Sequence, residues 1–224
     1  MSISFFKKGS SGDNKYNVRA DTTISNVFQI NEAITELINN FTISDNVTSL
    51  SQAFIDCKNL TSIPLLNTSN IIDMYQAFSG CEKLVSIPQL DTSKVTNMGY
   101  LFNDCVALKT VPLLDASSIK AINIAFRGCE ELIEMGGLKN LGKAYTQRKQ
   151  NYAPYCLSLA AANKLTHESL MNVINNLYDL NLSYNVADGG TLYRQQFNVG
   201  TANLAKLTED EIAIATAKGW DIIE

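Results

Sequence analysis

At 224 residues, 46% of them hydrophobic and 18% charged, the chain is long enough for one large domain or two small ones, and its composition excludes wholesale disorder. A net charge of −4 with a pI near 5.1 gives no basic footprint for nucleic acid or an anionic membrane, and no segment approaches the ~18 apolar residues that span a bilayer. The five cysteines include no C-x-x-C pair, which is a poor disulfide framework and a poor zinc site, and which fits reduced thiols.

In chain order, residues 1–20 are polar and rich in glycine and serine, and predict a flexible N-terminal arm. Its apolar run is confined to residues 3–6, and Lys7 and Lys8 follow that run, whereas a secretory signal has the opposite order. The expectation is a protein used without export, or one whose signal this chain lacks. In 21–42, Ile30, Ile34, Leu37, Ile38 and Phe41 fall at helical spacing and predict an N-terminal cap helix. Such a helix would cover the first coil of the array that begins at residue 43.

Residues 43–138 are four units of 24 residues. Phe54, Phe78, Phe102 and Phe126 share one column, and Cys57, Cys81, Cys105 and Cys129 the next. Leu60, Leu84, Leu108 and Leu132 follow, then Ile63, Ile87, Val111 and Met135, with Pro64, Pro88 and Pro112 replaced by Gly136 in the last unit. Within each unit the spacing predicts a strand at 60–64, ended by a proline that cannot donate to a ladder. A turn at Asn67, Asp91 or Asp115 comes next. An N-cap at Asp45, Ser69, Ser93 or Ser117 then opens a short helix whose face carries Ile71, Met74 and Phe78. Asp56, Gly80, Asp104 and Gly128 close the units, where the left-handed conformation must be tolerated. The expected fold is an α/β repeat, a right-handed leucine-rich-repeat solenoid with 24-residue coils, short parallel strands and short helices.

From 139 to 224 the register loosens, predicting degenerate repeats and a C-terminal cap. The phrase Lys-Leu-Thr occurs at 164–166 and again at 206–208, each time before a helical pattern. Two stretches interrupt the register. The first, 139–155, interleaves Lys139, Lys143, Arg148 and Lys149 with Tyr145, Tyr152 and Tyr155; the second, 183–197, places Asp188-Gly189-Gly190 as a hairpin turn between Tyr184 and Tyr193.

The pattern xxAFxxCxxLxxIPxLxxS, written here as QAFSGCEKLVSIP at 76–88, resembles the BspA-like leucine-rich repeats. It is most similar to the subgroup in surface proteins of gut bacteria and mollicutes, and in phages and prophages of such hosts. The resemblance implies a non-catalytic structural and recognition protein. The phage setting, the missing signal and the N-terminal arm together point to a virion component, a fibre or tail accessory made in the host cytoplasm. The alternative is a bacterial cell-surface or secreted adhesin of the same family.

No enzyme constellation competes with that reading. The single histidine, His167, opens a predicted helix without a nucleophile elbow, phosphate loop or H-E-x-x-H. The cysteine column reads as packing, since equivalent side chains of stacked coils point the same way and oppose disulfide geometry. No cofactor and no metal are expected. Expected partners are proteins (virion subunits, or host surface proteins and glycans) or further copies of the chain, with no nucleic acid and no membrane insertion. Candidate interaction residues are the anchors of the irregular segments, Tyr145, Arg148, Tyr152, Tyr155, Tyr184, Tyr193 and Arg194, with Phe5 and Phe6 in the arm.

Overall fold

The computed structural model describes residues 4–7, 16–19, 41–145, 156–183 and 195–224. Strands β1 (Ser4–Lys7) and β2 (Tyr16–Arg19) pair antiparallel, and β2 pairs parallel with β3 (Phe41–Ile43). The stretch expected as a flexible arm thus carries two strands joined to the edge of the repeat array. Residues 16–19 alternate apolar and polar positions, and a backbone partner at 41–43 gives that alternation a ladder to join. The cap helix expected in 21–42 lies outside the described residues, apart from its last positions in β3.

The repeats stack as coils. Every pairing between successive repeats joins residues 24 apart, as in Ser49↔Asp73↔Asn97↔Ala121 and Ser86↔Thr110. One continuous core fills the interior, built from Val47, Leu50, Phe54, Cys57, Leu60, Ile63 and Leu66 and their equivalents. The phenylalanines stack along the array, with centroids 5.2, 5.8 and 5.8 Å apart. The first two pairs are near parallel and the Phe102–Phe126 pair is tilted by 32°, and aromatic pairs at such spacings gain contact beyond simple burial.

The short helices expected at the Ile71–Met74–Phe78 face are absent from the described repeats. Along 50–56 the N–H groups alternate instead. Those of Leu50, Gln52, Phe54 and Asp56 donate to carbonyls of the next coil, at Asp73, Tyr75, Ala77 and Ser79, over 2.8–2.9 Å. Those of Ala53, Ile55 and Cys57 turn back three residues, to Leu50, Gln52 and Phe54. A helix would commit every amide to its own turn and leave none for the neighbouring coil. The alternation bends the backbone through positive φ at Gln52, Gln76, Tyr100 and Ile124, and at Asp56, Gly80, Asp104 and Gly128. In that second column aspartate and glycine alternate for a steric reason. The carboxylate of Asp56 occupies the space a Cβ at Gly80 would need, and Asp104 does the same for Gly128.

The N-caps expected at Ser69, Ser93 and Ser117 are also turn residues, because no helix follows them. Their backbone N–H groups donate to the side chains of Asn67, Asp91 and Asp115 at 3.3, 3.0 and 2.9 Å. The strand expected at 60–64 is regular only late in the array. There β4 (Thr110–Val111) and β5 (Leu114–Asp115) pair parallel with β6 (Glu134–Met135) and β7 (Leu138–Lys139). Pro112, between β4 and β5, has no N–H and interrupts this wall.

The C-terminal region stacks on the fourth repeat through different elements. Strands β8 (Cys156–Ser158), β9 (Gln195–Asn198) and β10 (Trp220–Ile223) form a parallel sheet with β9 central. Helices α1 (His167–Asn176) and α3 (Glu209–Ala217) start directly after Thr166 and Thr208, as the shared Lys-Leu-Thr phrase predicts, and a short α2 (Thr201–Leu204) precedes α3. Ser169 on α1 clips this region to the array, receiving the Met135 N–H at 3.0 Å and donating to the Ile133 carbonyl at 3.2 Å. The buried Asn203 amide donates to the carbonyls of Leu159, Ala162 and Val199, which ties the last coils together. Among the described residues no helix is long and apolar enough to cross a membrane.

Candidate recognition surfaces

Of the anchors expected from the sequence, Phe5 and Phe6 lie in β1, with backbones opposite Val18 and Asn17. Tyr145 ends a 3-10 turn, Lys143–Tyr145. Arg148, Tyr152, Tyr155, Tyr184, Tyr193 and Arg194 lie outside the described residues. His167 is the first residue of α1, about half exposed, and its Nε2 lies 2.8 Å from Glu211 on α3. The Glu211 carboxyl is held below its usual range, first by the Thr208 N–H of the α3 capping box and then by His167.

The thiol column has a hydrogen-bonding role that the sequence does not announce. Cys81, Cys105 and Cys129 donate S–H to the carbonyls of Phe54, Phe78 and Phe102 on the preceding coil, at 3.2, 3.0 and 3.2 Å. Those carbonyls also accept the N–H of Cys57, Cys81 and Cys105, so each bridges two coils. All four column cysteines are thiols. Burial pushes Cys57 and Cys105 up to about 12, and pushes Cys81 and Cys129 upward as well. Neutral, desolvated thiols are poor nucleophiles and poor ligands.

Two surface features stand apart from the packed core. The first is a groove of about 710 Å³ beside the strand wall, built from equivalent positions of successive coils. Leu65, Gln89 and Leu113 form one row, and Asn67, Asp91, Asp115 and Lys139 another. Leu65 is 75% exposed and Leu113 39%, while Gln89 donates to the Leu113 carbonyl at 2.8 Å and so fixes its own orientation. The Ser93 hydroxyl and N–H hold the Asp91 carboxyl below its usual range, so the groove carries negative charge at neutral pH. Gln89 is legible in the sequence as a strand-face residue; the leucines beside it are not, because the same residue type fills the core one position later.

The second surface lies on the wall of the alternating ladder. Tyr75 and Tyr100, both half-buried, meet edge to face with centroids 5.8 Å apart. A Cβ at Gly99 would stand 3.1 Å from Asn123 Oδ1, 3.2 Å from Asn97 Oδ1 and 3.3 Å from Tyr75 Cδ2, so two carboxamides and a ring converge on that glycine. The signal in the sequence was a broken column, in which Ser51, Tyr75, Gly99 and Asn123 occupy equivalent places.

A family model described as "Mycoplasma protein of unknown function, DUF285" matches residues 22–141. The match agrees with a BspA-like leucine-rich repeat and does not address the phage subgroup. Among solved structures, a leucine-rich repeat protein of T. pallidum is similar at 18% identity, over 75% of this chain and 90% of that chain, with a TM-score of 0.36. No curated protein matches.

Proposed function

Since the chain belongs to the DUF285 family, whose model matches more than half of it, we propose that it is a non-catalytic recognition protein that binds a macromolecular partner along the strand-wall groove. The supporting observation is the row Leu65–Gln89–Leu113, which leaves two large apolar side chains in water within a groove that crosses three coils. Leaving a leucine exposed forfeits roughly 1.5–3 kcal/mol of burial that a partner can recover. The polar row Asn67, Asp91, Asp115 and Lys139 supplies register along the same groove. A bacterial surface is the proposed setting, in line with a family described from mycoplasma. The virion setting expected from the sequence gains no support from the matches.

The test is adhesion of the purified full chain to bacterial and animal cell surfaces. Leu65→Glu with Leu113→Glu should lower binding at least tenfold while the melting temperature stays unchanged. The control deletes residues 2–20. If that deletion abolishes adhesion and the groove variant leaves it intact, the N-terminal segment with Phe5 and Phe6 is the working surface and the groove reading is wrong.

A further inference from the structure

We infer that the Tyr75–Tyr100 pair is a binding platform for a neutral sugar, using none of the groove's residues. The first ground is that these rings are not needed for packing. The core columns beside them are complete, with Met74, Ala77 and Phe78 in one coil and Met98, Leu101 and Phe102 in the next. Positions equivalent to Tyr75 hold Ser51, Gly99 and Asn123, and those equivalent to Tyr100 hold Gln52, Gln76 and Ile124, so the array closes without an aromatic at either place.

The second ground is how the site is built. Gly99 removes the one side chain that would separate the Tyr75 ring from Asn97 and Asn123. Asn97 Oδ1 accepts the Gly99 N–H at 3.0 Å, and Asp73 Oδ1 accepts the Tyr75 N–H at 3.0 Å. Both bonds fix the backbone under the rings. Gln52 donates to Gln76 at 2.8 Å, which holds the carboxamide row that leads to Tyr100. Asn103 lies just beyond, its N–H bonded to the Tyr100 carbonyl and its side-chain oxygen buried without a hydrogen-bond partner.

The chemistry of this set selects the ligand. An aromatic face is electron-rich and attracts the polarised C–H bonds on the flat side of a pyranose. Carboxamides are both donors and acceptors, as sugar hydroxyls are, and carry no charge. A sialylated or sulfated glycan would instead call for cations, and the residues converging on Gly99 are a tyrosine and two asparagines.

The experiment is calorimetric titration of the full chain with methyl glucoside, methyl galactoside and N-acetylglucosamine oligomers, after an oligosaccharide array that includes sialylated and sulfated members. At least one neutral sugar should bind, and Tyr75→Ala or Tyr100→Ala should each weaken it tenfold or more. Tyr100→Phe should retain most of the affinity, and Asn123→Ala should lower it with the fold intact by circular dichroism. The proposal is overturned by the absence of any neutral binder at millimolar concentration. Binding that both tyrosine variants leave unchanged, or binding confined to the sialylated and sulfated members, overturns it equally. So does loss of adhesion to a protein ligand, rather than to a sugar, in the tyrosine variants.

Discussion

The four repeats and the C-terminal coils stack on one another, yet they satisfy their backbones in opposite ways. In the repeats, alternate amides of 50–56 cross to the next coil, and the thiols of Cys81, Cys105 and Cys129 add a side-chain donor to the same carbonyl system. In the C-terminal coils, α1 and α3 keep their bonds internal and carry their own caps. Coil length alone does not explain the difference. Bridges in the repeats join residues 24 apart and β8 meets β9 at a separation of 40, but β9 meets β10 at a separation of 25 with α2 and α3 between them. Local side-chain chemistry separates the two regions: threonine caps open α1 and α3, and clips such as Ser169 and Asn203 tie these coils together. In the repeats an Asx turn stands where a cap would be, and the amides are shared with the neighbouring coil.

That contrast predicts where damage spreads. Phe102 is fully buried between the rings of Phe78 and Phe126. Phe102→Ala should cost about 3–5 kcal/mol in a denaturant melt. Hydrogen exchange should quicken in the coils of Phe78 and Phe126 while α1 and α3 stay protected, because stability in a stacked array is shared with neighbours. A loss under about 1 kcal/mol would mean that the ring column is not the core.

Alkaline pH should divide the two regions by sign. Cys57 and Cys105 are raised from 9.0 to about 12 by burial. Between those values the folded chain holds protons that the unfolded chain has released. The thiol contribution is therefore complete below pH 9 and is lost as pH rises toward 12. The C-terminal coils carry the reverse. Lys206 and Lys218 are lowered below 10.5 by burial, so their folded forms release protons first and stability rises with pH below that value. Replacing the four column cysteines by alanine should remove the alkaline loss measured by melts at pH 7, 9 and 10.5. An unchanged pH slope in that variant would take the thiols out of the account.

The core columns were readable because their residues recur at a fixed spacing and must all point inward. The helices expected in the repeats do not form, and the pattern that suggests them has an identifiable cause. Ile71, Met74 and Phe78 lie at i, i+3 and i+7, which suits one face of a helix and suits a three-residue turn ladder equally well. Residue type gave no warning of the ladder, since Gln52, Gln76 and Ile124 hold positive φ without being glycine or asparagine. The Asx turns at Asn67, Asp91 and Asp115, and the helices after Thr166 and Thr208, were legible because each rests on local side-chain chemistry. The tyrosine pair was not, because its meaning lies in a contact across coils between two residues whose columns differ.

The smallest expected effect is also the sharpest test of the contrast. Thr166 accepts the Ser169 N–H at 3.1 Å, and Thr208 accepts the Glu211 N–H at 3.3 Å, so each satisfies an amide that its helix cannot. Thr166→Ala and Thr208→Ala should each cost about 1 kcal/mol, the usual loss for an N-cap. Ser117 occupies the place in the fourth repeat where a helix cap is expected from the sequence, yet there the direction of bonding is inverted. Its N–H donates to the Asp115 carboxylate, and among the described residues no amide donates to its hydroxyl. Alanine keeps that N–H, so Ser117→Ala should change stability by less than about 0.5 kcal/mol. Asp115→Ala removes the acceptor and should cost more than Ser117→Ala, the reverse of what a serine cap requires. Thermal melts of the four single variants decide the matter. Should Ser117→Ala destabilise as much as Thr166→Ala while Asp115→Ala is silent, a capped helix lies in the repeat and the two regions are built alike.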